Sequence, residues 1–320
     1  MRRLALTCML SCAVLAAAFA GSASARVTVG ISDQQASTFT NPLFAPLKLK
    51  VARYIAPYDV MKDPAQRALM ETWLKAAKAA HQKTLLSFEH SRIHKHRQYK
   101  KAPSVKKYKR MITKVKRKYH RYINDVSPWN EVNVCQAKGR MEGQPAKICH
   151  SKTGAKLVAK YYKAARKVFR GHRIVGLDIL DGSNPAGAVG YIRRFKHYAK
   201  PFPKYWGIHN YSDTNRGSTS RTKRLIKTIG HRKHAQIWLT ETGGQLKLRG
   251  VEFGEAKAAK ALKCMFYMTK KFKQIKRLYI YQFNGADSTN DFDAGLINPD
   301  STPRIGYDIV KKRKKARCRP

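Results

Sequence analysis

Residues 237–244 read Ile-Trp-Leu-Thr-Glu-Thr-Gly-Gly, a short apolar run that ends in a glutamate and two glycines. This pattern predicts a buried β-strand, because short apolar runs closed by glycines are typical of strands in parallel sheets. Seven similar runs lie along the chain, and apolar residues fall at helical spacing between them. The eight predicted strands span residues 27–31, 50–55, 84–89, 126–134, 174–180, 205–211, 236–241 and 278–283.

The segments between the strands predict helices. Residues 105–119 and 157–169 place apolar side chains three and four positions apart, as amphipathic helices do. Pro64, Pro185 and Pro303 lie near expected helix starts, where a missing N–H is harmless.

Strands that alternate with helices indicate parallel pairing. Eight such units favour a closed (β/α)8 barrel, the TIM barrel of the α/β class, over an open doubly wound sheet. The chain has no long linker, so we expect one domain over residues 26–320. The first strand is not followed by a G-x-G-x-x-G loop, which argues against a nucleotide-binding fold.

The N-terminus has the pattern of a secretory signal peptide. A basic start is followed by the mostly apolar residues 4–20 and by Ala23-Ser24-Ala25, a small-x-small cleavage pattern. We expect residues 1–25 to be removed and the protein to be secreted or extracytoplasmic; an uncleaved anchor is the alternative. After cleavage we expect no transmembrane segment, because no other apolar run approaches the ~20 residues of a membrane span.

Four cysteines remain after the signal segment, and an even number in an exported chain favours disulfides. We expect Cys135 to pair with Cys149, closing a local loop, and Cys264 to pair with Cys318, which would tie down the C-terminal tail. Their spacing matches no zinc-ligand pattern, and we expect neither a metal nor a cofactor.

Acidic residues are scarce, so their positions are informative. The chain contains 66 Lys and Arg but only 19 Asp and Glu. Several acids fall at predicted strand ends, where a barrel places its chemistry. They are Asp33, Glu89, Glu131, Asp181, Asp213, Glu241 and Asp287.

Glu131 and Glu241 are distinctive because they end predicted strands four and seven, which face each other across an eight-stranded barrel. Two carboxyl groups about 5–5.5 Å apart can cleave a glycosidic bond with retention of configuration. In that reaction one carboxylate attacks the sugar, while the other first donates a proton and later removes one from water.

The sequence resembles the clan A glycoside hydrolases. The resemblance rests on Asn130-Glu131 ending strand four, on His209-x-Tyr211 ending strand six and on Glu241 ending strand seven. It covers essentially the whole mature chain in strand order. It implies a (β/α)8 barrel and a retaining mechanism, with Glu131 as acid/base and Glu241 as nucleophile.

The same resemblance implies roles for neighbouring residues. Asn130 would bind the sugar 2-hydroxyl, Tyr211 would donate to Glu241, and His209 would line the same subsite. Arg53, at the end of strand two, resembles the clan's arginine beside the nucleophile. The alternatives are that His209 and Tyr211 are satisfied core residues and that Arg53 forms a structural ion pair.

The strand-eight region departs from the family. Members often have a tryptophan there as a sugar platform, whereas this chain offers Tyr281 and Phe283. Trp129 is interpreted as a packing residue or a pocket wall, and Glu89 as either a sugar ligand or a structural acid. Val132 stands where the family often has proline.

The formal net charge is +47, and residues 92–121 alone hold fourteen Lys and Arg. Such a charge attracts polyanions. For an exported protein these include acidic polysaccharides, anionic cell-wall polymers and membrane surfaces. No motif for specific nucleic-acid recognition is present.

Three hypotheses follow from the sequence. The first is a secreted retaining glycoside hydrolase acting on an oligosaccharide or polysaccharide. The second is a catalytically silent barrel that binds glycan or an anionic cell-wall polymer. The third is a cationic polyanion-binding protein whose barrel is only a scaffold.

Overall fold

A computed structural model of the 320-residue protein describes residues 27–136, 143–182 and 184–319. The expected signal segment, residues 1–25, lies outside the described residues and stays a prediction. In the described ranges, no helix is long and apolar enough to cross a membrane.

Eight parallel strands of the described chain close into a barrel, which confirms the predicted (β/α)8 fold. Each strand pairs with the next, and the last returns to the first, where Val29 lies opposite Leu278. The strands are β1 (Thr28–Ser32), β2 (Val51–Pro57), β3 (Lys83–Glu89), β4 (Asp125–Ser127), β5 (Arg173–Leu180), β6 (Tyr205–His209), β7 (Gln236–Thr242) and β8 (Ile275–Ile280).

Helices surround the barrel. The α-helices are α1 (Pro64–Ala79), α2 (Val105–Tyr119), α3 (Ala146–Cys149), α4 (Ser151–Val168), α5 (Pro185–Tyr198), α6 (Tyr211–Asn215), α7 (Ser220–Ile229), α8 (Glu255–Lys271) and α9 (Ile305–Lys312). Short 3-10 helices span Ala36–Phe39, Ala45–Leu47, Val60–Lys62, Lys95–Lys100, His120–Tyr122 and Arg232–His234. The connection from β1 to β2 contains only 3-10 helices, so the first unit lacks the α-helix that the pattern suggested.

Helix starts follow local chemistry. Asp63 caps α1 by accepting from the N–H groups of Ala65 and Gln66, and Pro64 occupies the first helical position. Asn184 caps α5 in the same way, again just before a proline. A side-chain acceptor here satisfies backbone donors that the helix itself leaves unpaired.

The barrel interior is packed. Val51, Leu85, Val175, Trp238 and Tyr279, from five different strands, form one buried cluster. Alternate residues of a strand share a face. Arg53 therefore follows Val51 on the inner face of β2, one layer closer to the C-terminal mouth.

A small three-stranded sheet joins the connections that follow β7 and β8. Its strands are Lys247–Leu248, Val251–Glu252 and Phe292–Asp293. Leu248 pairs with Phe292 in an antiparallel register. We call this element the flap sheet.

Both expected disulfides are present. Cys135 bonds to Cys149, and Cys264 bonds to Cys318. The second bond fastens the C-terminal tail to α8.

Three strand ends differ from prediction. The strand predicted over 126–134 ends at Ser127, because Pro128 cannot donate to the ladder and Glu131 has a positive φ of 39°. The sixth strand ends at His209, and Tyr211 begins α6 instead. The eighth strand ends at Ile280, so Tyr281 and Phe283 lie in the connection after it.

Candidate active site

The candidate site lies at the C-terminal ends of the strands. His209 is the last residue of β6, Glu241 is the penultimate residue of β7, and Asn130 and Glu131 follow β4. Arg53 reaches them from β2. These five residues, which the sequence placed on four different strands, form one cluster. Hydrogen bonds join Arg53 to Glu241 and Asn130 and join His209 to Glu131, and His209 Nδ1 lies 3.9 Å from Glu241.

Arg53 is the centre of this cluster. It is fully buried, and its Nη1 donates to Glu241 Oε2 at 2.6 Å, while Nη2 donates to Asn130 Oδ1 at 2.6 Å. Ser32 and Ser87 accept further bonds at 3.1 Å each. Burial lowers the pKa of Arg53, but the nearby carboxylates of Glu241 and Asp178 outweigh it, and the net pKa is raised. The guanidinium therefore stays charged.

Glu241 is almost enclosed and has two donors. Arg53 binds one of its oxygens, and the hydroxyl of Tyr211 donates to the other at 3.1 Å. Burial, with a smaller effect from the negative charge of Glu241, raises the pKa of Tyr211 well above its usual value. The phenol therefore keeps its proton and remains a donor.

Glu131 is the more accessible of the two acids. Its side chain is 23% exposed, whereas that of Glu241 is 11% exposed. Its Oε1 lies 3.0 Å from His209 Nδ1. Burial lowers the pKa of His209, but the charge of Glu241 and the bond to Glu131 outweigh it, so the net pKa is raised.

The two carboxylates are close together. One oxygen of Glu131, one oxygen of Glu241 and a ring nitrogen of His209 all lie within 4.8 Å of one another. The spacing suits a retaining pair of carboxyl groups, for which about 5–5.5 Å is typical.

A cation could in principle bind between these three donors. However, the Arg53 guanidinium lies 2.6 Å from Glu241 and already supplies a positive charge there. The arrangement therefore suits proton transfer and nucleophilic attack better than metal binding.

Backbone bonds fix the loop that carries Glu131. The N–H of Asn130 donates to Phe88 O at 2.7 Å, and the N–H of Val132 donates to Asp178 O at 3.1 Å. The loop is held on both sides of Glu131 by neighbouring strands, β3 and β5. These contacts stabilise the left-handed backbone of Glu131, which is uncommon for a residue other than glycine.

Asp178 is a buried site residue that sequence reasoning missed. It accepts from Ser127 Oγ at 2.5 Å and from Thr240 Oγ1 at 2.6 Å, and it lies 3.8 Å from Arg53 Nη2. It thereby links β4, β5 and β7 beneath the two glutamates. A signal was available, because an aspartate inside the apolar run 174–180 is unusual for a buried strand.

Aromatic rings form one wall beside Glu241. Phe292 of the flap sheet packs edge-on against Tyr211, with ring centroids 5.9 Å apart, and against Tyr281 at 5.7 Å. Both Phe292 and Tyr281 are partly exposed. Phe292 was also missed, because it lies in a long connection without periodic pattern.

Two expected ligand-binding aromatics do not face the mouth. Phe283 is completely buried and packs against Phe44 at 5.8 Å. Trp129 is 1% exposed, stacks on Tyr161 at 5.1 Å and donates to Gln144 at 2.6 Å. Phe283 is therefore a core residue rather than a platform, and Trp129 has the packing role that was one of its two interpretations.

Arg53 and His209 are both 0% exposed. They contact the glutamates and not the open mouth, so the prediction that His209 lines the subsite directly is wrong. Glu89 pairs with Arg92 at 2.7 Å, which fits the structural alternative for that residue.

The remaining acids at strand ends stabilise loops. Asp33 accepts from the N–H groups of Phe283 and Asn284, and Asp181 accepts from those of Ser212 and Asp213. Burial raises the pKa of Asp181 to about 7. Asp287 binds Thr289 within an exposed turn.

No protein-family model matches this chain, and no curated sequence matches it. Solved structures do match. A family 39 glycoside hydrolase from Bacteroides cellulosilyticus WH2 superposes with a TM-score of 0.65 at 15% identity, over 90% of this chain and 63% of that one. This chain thus spans less than two thirds of that protein.

Two further structures agree. Xylanase 10B from Thermotoga maritima matches with a TM-score of 0.62 at 13% identity, over 90% of this chain and 95% of that one. A GH5_18 protein from Bifidobacterium longum subsp. infantis matches with a TM-score of 0.67 at 11% identity, over 91% of this chain and 79% of that one.

This chain has the fold of the glycoside hydrolase barrels. At these identities the likeness concerns architecture. The cluster around Glu131 and Glu241 lies at the C-terminal mouth of this barrel.

Proposed function

We propose that the protein is a glycoside hydrolase that cleaves O-glycosidic bonds of an oligosaccharide or polysaccharide with retention of configuration. The observation that carries this proposal is the approach of Glu131 and Glu241 within 4.8 Å. Each is held by a different set of donors at the mouth of the barrel. No cofactor takes part in the proposed reaction.

In the first step, a Glu241 oxygen attacks the anomeric carbon and the bond from that carbon to the leaving oxygen breaks. Glu131 transfers its proton to the leaving oxygen. In the second step, Glu131 removes a proton from water as the water attacks the same carbon. The bond to Glu241 breaks, and both carboxyl groups return to their starting states.

The donors around Glu241 support its role as nucleophile. Arg53 supplies a fixed positive charge and Tyr211 a neutral hydroxyl, and both hold the carboxylate in one orientation. On the other side, Asn130 uses its carbonyl oxygen to accept from Arg53, which leaves its amide nitrogen to donate to a sugar hydroxyl.

His209 supports the role of Glu131 as acid/base. Its Nδ1 lies 3.0 Å from Glu131 and 3.9 Å from Glu241. The buried imidazole of His209 lies between the two carboxylates and reduces the electrostatic repulsion between them. We therefore interpret His209 as a positioning residue.

The test is a pair of variants assayed on aryl glycosides and on polysaccharides. Xylan comes first among the polysaccharides, because one structural neighbour is a xylanase. Glu241→Ala should abolish turnover on every substrate. Glu131→Ala should slow polysaccharide cleavage by about 10²–10⁴-fold and slow activated aryl glycosides much less, because a good leaving group needs little acid assistance.

Glu71→Gln is the matched control, since Glu71 lies on α1 and pairs with Lys75 and Lys118 rather than with the cluster around Glu131 and Glu241. Its activity should equal that of the wild type. An anomer-resolved NMR time course should show the retained anomer first. An inverted first product would refute the assignment of Glu241.

The second candidate is a catalytically silent barrel that binds glycan or an anionic cell-wall polymer. The large positive charge favours this alternative. It predicts polymer binding without turnover, and binding that Glu131→Gln leaves unchanged.

We further propose that the protein is exported after removal of residues 1–25. The two disulfides support this, because such bonds persist in oxidising compartments outside the cytosol. Mass spectrometry of the protein purified from culture medium would test it: a mature N-terminus near Arg26 is expected.

A further inference from the structure

Four helices in a row lack acidic residues. Around the barrel, α2 packs on α4, α4 on α5 and α5 on α7. None of the four contains an aspartate or a glutamate. In the described part of the chain, the exposed acids are Glu252, Asp287, Asp291, Asp300 and Asp308, and the partly exposed Glu71 of α1 pairs with Lys118 near the end of α2. The exposed faces of the four helices therefore carry cations without acids of their own.

On α2 the cations form a stripe. Lys106, Arg110, Lys114 and Arg117 are all exposed and follow one another at intervals of four, four and three residues. Residues at these intervals share one face of a helix, and a step of four residues rises about 6 Å.

On α4 the same pattern recurs. Lys156, Lys160, Lys163 and Lys167 are exposed at intervals of four, three and four residues. Because α2 packs against α4, the two stripes lie on adjoining helices. We call the two stripes together the basic face.

The basic face is not explained by solubility. Like charges three or four residues apart destabilise a helix, whereas alternating Glu and Lys would keep it soluble and stabilise it. Both helices instead keep cations at successive positions, with no acid between them. An arrangement that opposes helix stability in two neighbouring elements indicates a ligand that neutralises it.

The surface chemistry distinguishes between kinds of polyanion. The exposed large apolar side chains of the described residues are Leu69, Val251 and Ile305, none of which lies on these helices. The face therefore offers nothing to insert into a bilayer. It also presents no fully exposed aromatic ring on which a nucleic-acid base could stack.

We propose that the basic face binds an acidic polysaccharide. Its charges are spaced at roughly the length of one sugar unit, and the disulfides favour a location outside the cytosol, where carbohydrate polyanions occur. The binding is electrostatic, and its affinity depends on the charge of the polymer rather than on the identity of its sugars. It keeps the barrel attached to the polymer. It is separate from the candidate active site and does not depend on hydrolysis.

Two quadruple variants test the proposal. Arg110, Lys114, Lys160 and Lys163 are replaced by Gln in the first, which removes four charges from the basic face. The matched control removes four exposed charges elsewhere, with Lys260, Lys270, Lys273 and Lys311 each replaced by Gln. Circular dichroism and thermal melts confirm that both variants fold.

Binding is measured at low salt to dextran sulfate, polygalacturonate and neutral dextran, and also to duplex DNA and phosphatidylglycerol vesicles. The wild type should bind one or both acidic polysaccharides and not neutral dextran; the sulfated and carboxylated probes identify which anion is preferred. The basic-face variant should bind about tenfold more weakly, with a shallower salt dependence, and the control should change by less than about twofold.

Equal losses in both variants would show that only total charge matters and would overturn the proposal. So would wild-type binding to neutral dextran as tight as to the acidic polymers. The proposal would also be overturned if the wild type bound DNA or vesicles more tightly than the acidic polysaccharides and the basic-face variant lost that binding. The basic face would then belong to another class of partner.

Discussion

At the scale of single residues, one guanidinium joins both sides of the candidate site. Arg53 donates to Glu241 on β7 and to Asn130 after β4, and it lies near Asp178 on β5. A lysine could carry the same charge but could not make these forked contacts. The positions of the proposed nucleophile and of the proposed sugar-binding amide are therefore coupled through one side chain.

Gly207 on β6 makes room for the acid beneath this network. A Cβ atom there would lie 1.6 Å from Asp178 Oδ1 and 2.6 Å from Thr240 Oγ1. Gly207→Ala should therefore push Asp178 away from Ser127 and Thr240 and lower the free energy of unfolding by about 3 kcal/mol. Denaturant unfolding monitored by fluorescence measures the change.

Gly190→Ala serves as the control for that prediction. This glycine lies inside α5, and an added Cβ would meet only the flexible end of Arg194, at 3.1 Å. Alanine should stabilise the helix by up to about 1 kcal/mol. If both substitutions proved harmless, the packing described around Asp178 would be wrong.

Asp181 gives the stability a pH dependence. Burial raises its pKa to about 7, so between about pH 4 and pH 7 the folded protein keeps a proton that the unfolded chain has released. The free energy of unfolding should therefore fall as pH rises through this window, by up to about 1.4 kcal/mol per pH unit. Asp181→Asn should lack this contribution.

Urea unfolding of the wild type and of Asp181→Asn at pH 4.5, 6 and 7.5 measures how the contribution of Asp181 to the free energy of unfolding changes with pH. The stability difference should move in favour of the variant as the pH increases. Asp308→Asn, at an exposed position on α9, controls for the loss of one acid. A constant difference between wild type and Asp181→Asn at all three pH values would contradict the buried environment of Asp181.

The sequence predicted the residues that meet, but not the residues beneath them. Glu131, Glu241 and His209 could be placed together because each ends a strand, and strand ends of a parallel barrel share one rim. Asp178 lies inside a strand, where its partners depend on barrel register and on Gly207, the residue opposite it on the neighbouring strand β6. These contacts join segments that are distant in the sequence, so the local pattern of a single sequence does not predict them.

At the scale of elements, strand cores were predicted better than strand ends. The run 126–134 continues to look β-like beyond Ser127, yet the chain leaves the ladder at Pro128. The residues after that point bind β3 and β5 through backbone contacts and thereby aim Glu131. An apolar pattern identifies a strand, but the residue at which the strand ends depends on backbone hydrogen bonds to segments that are distant in the sequence.

The flap sheet supplies an aromatic ring that the strands do not. Phe292 contacts Tyr211 and Tyr281 beside the proposed nucleophile. Phe292→Ala should raise KM for a polysaccharide about fivefold, since one aromatic contact contributes roughly 1 kcal/mol, and should change kcat little. Steady-state kinetics on a substrate identified in the activity screen separates the two effects.

Phe253→Ala is the comparison variant. Phe253 lies in the other connection that forms the flap sheet, the one after β7, and its ring is contacted by Lys257 at 4.1 Å. Its KM should stay close to that of the wild type. Equal KM values for all three proteins would exclude Phe292 from substrate binding.

At the scale of the whole molecule, net charge opposes compactness. With a formal charge of +47, the folded chain repels itself, and dissolved salt screens that repulsion. The melting temperature should therefore rise by about 1.5 °C or more between low and moderate NaCl concentration, in line with about 1 kcal/mol of relieved repulsion in a chain of this length. Calorimetry at constant pH measures the shift.

The control replaces NaCl with an uncharged osmolyte at equal osmolality, which cannot screen charge. A melting temperature that falls with NaCl would indicate that attractive ion pairs outweigh repulsion. The few exposed acids in the described ranges make that outcome unexpected.

The absence of acidic residues from α2, α4, α5 and α7 has a mechanical consequence. These helices flank the barrel, whereas the candidate site lies at the C-terminal ends of its strands. An anionic matrix held by the basic face would therefore touch the side of the barrel and leave the open rim uncovered.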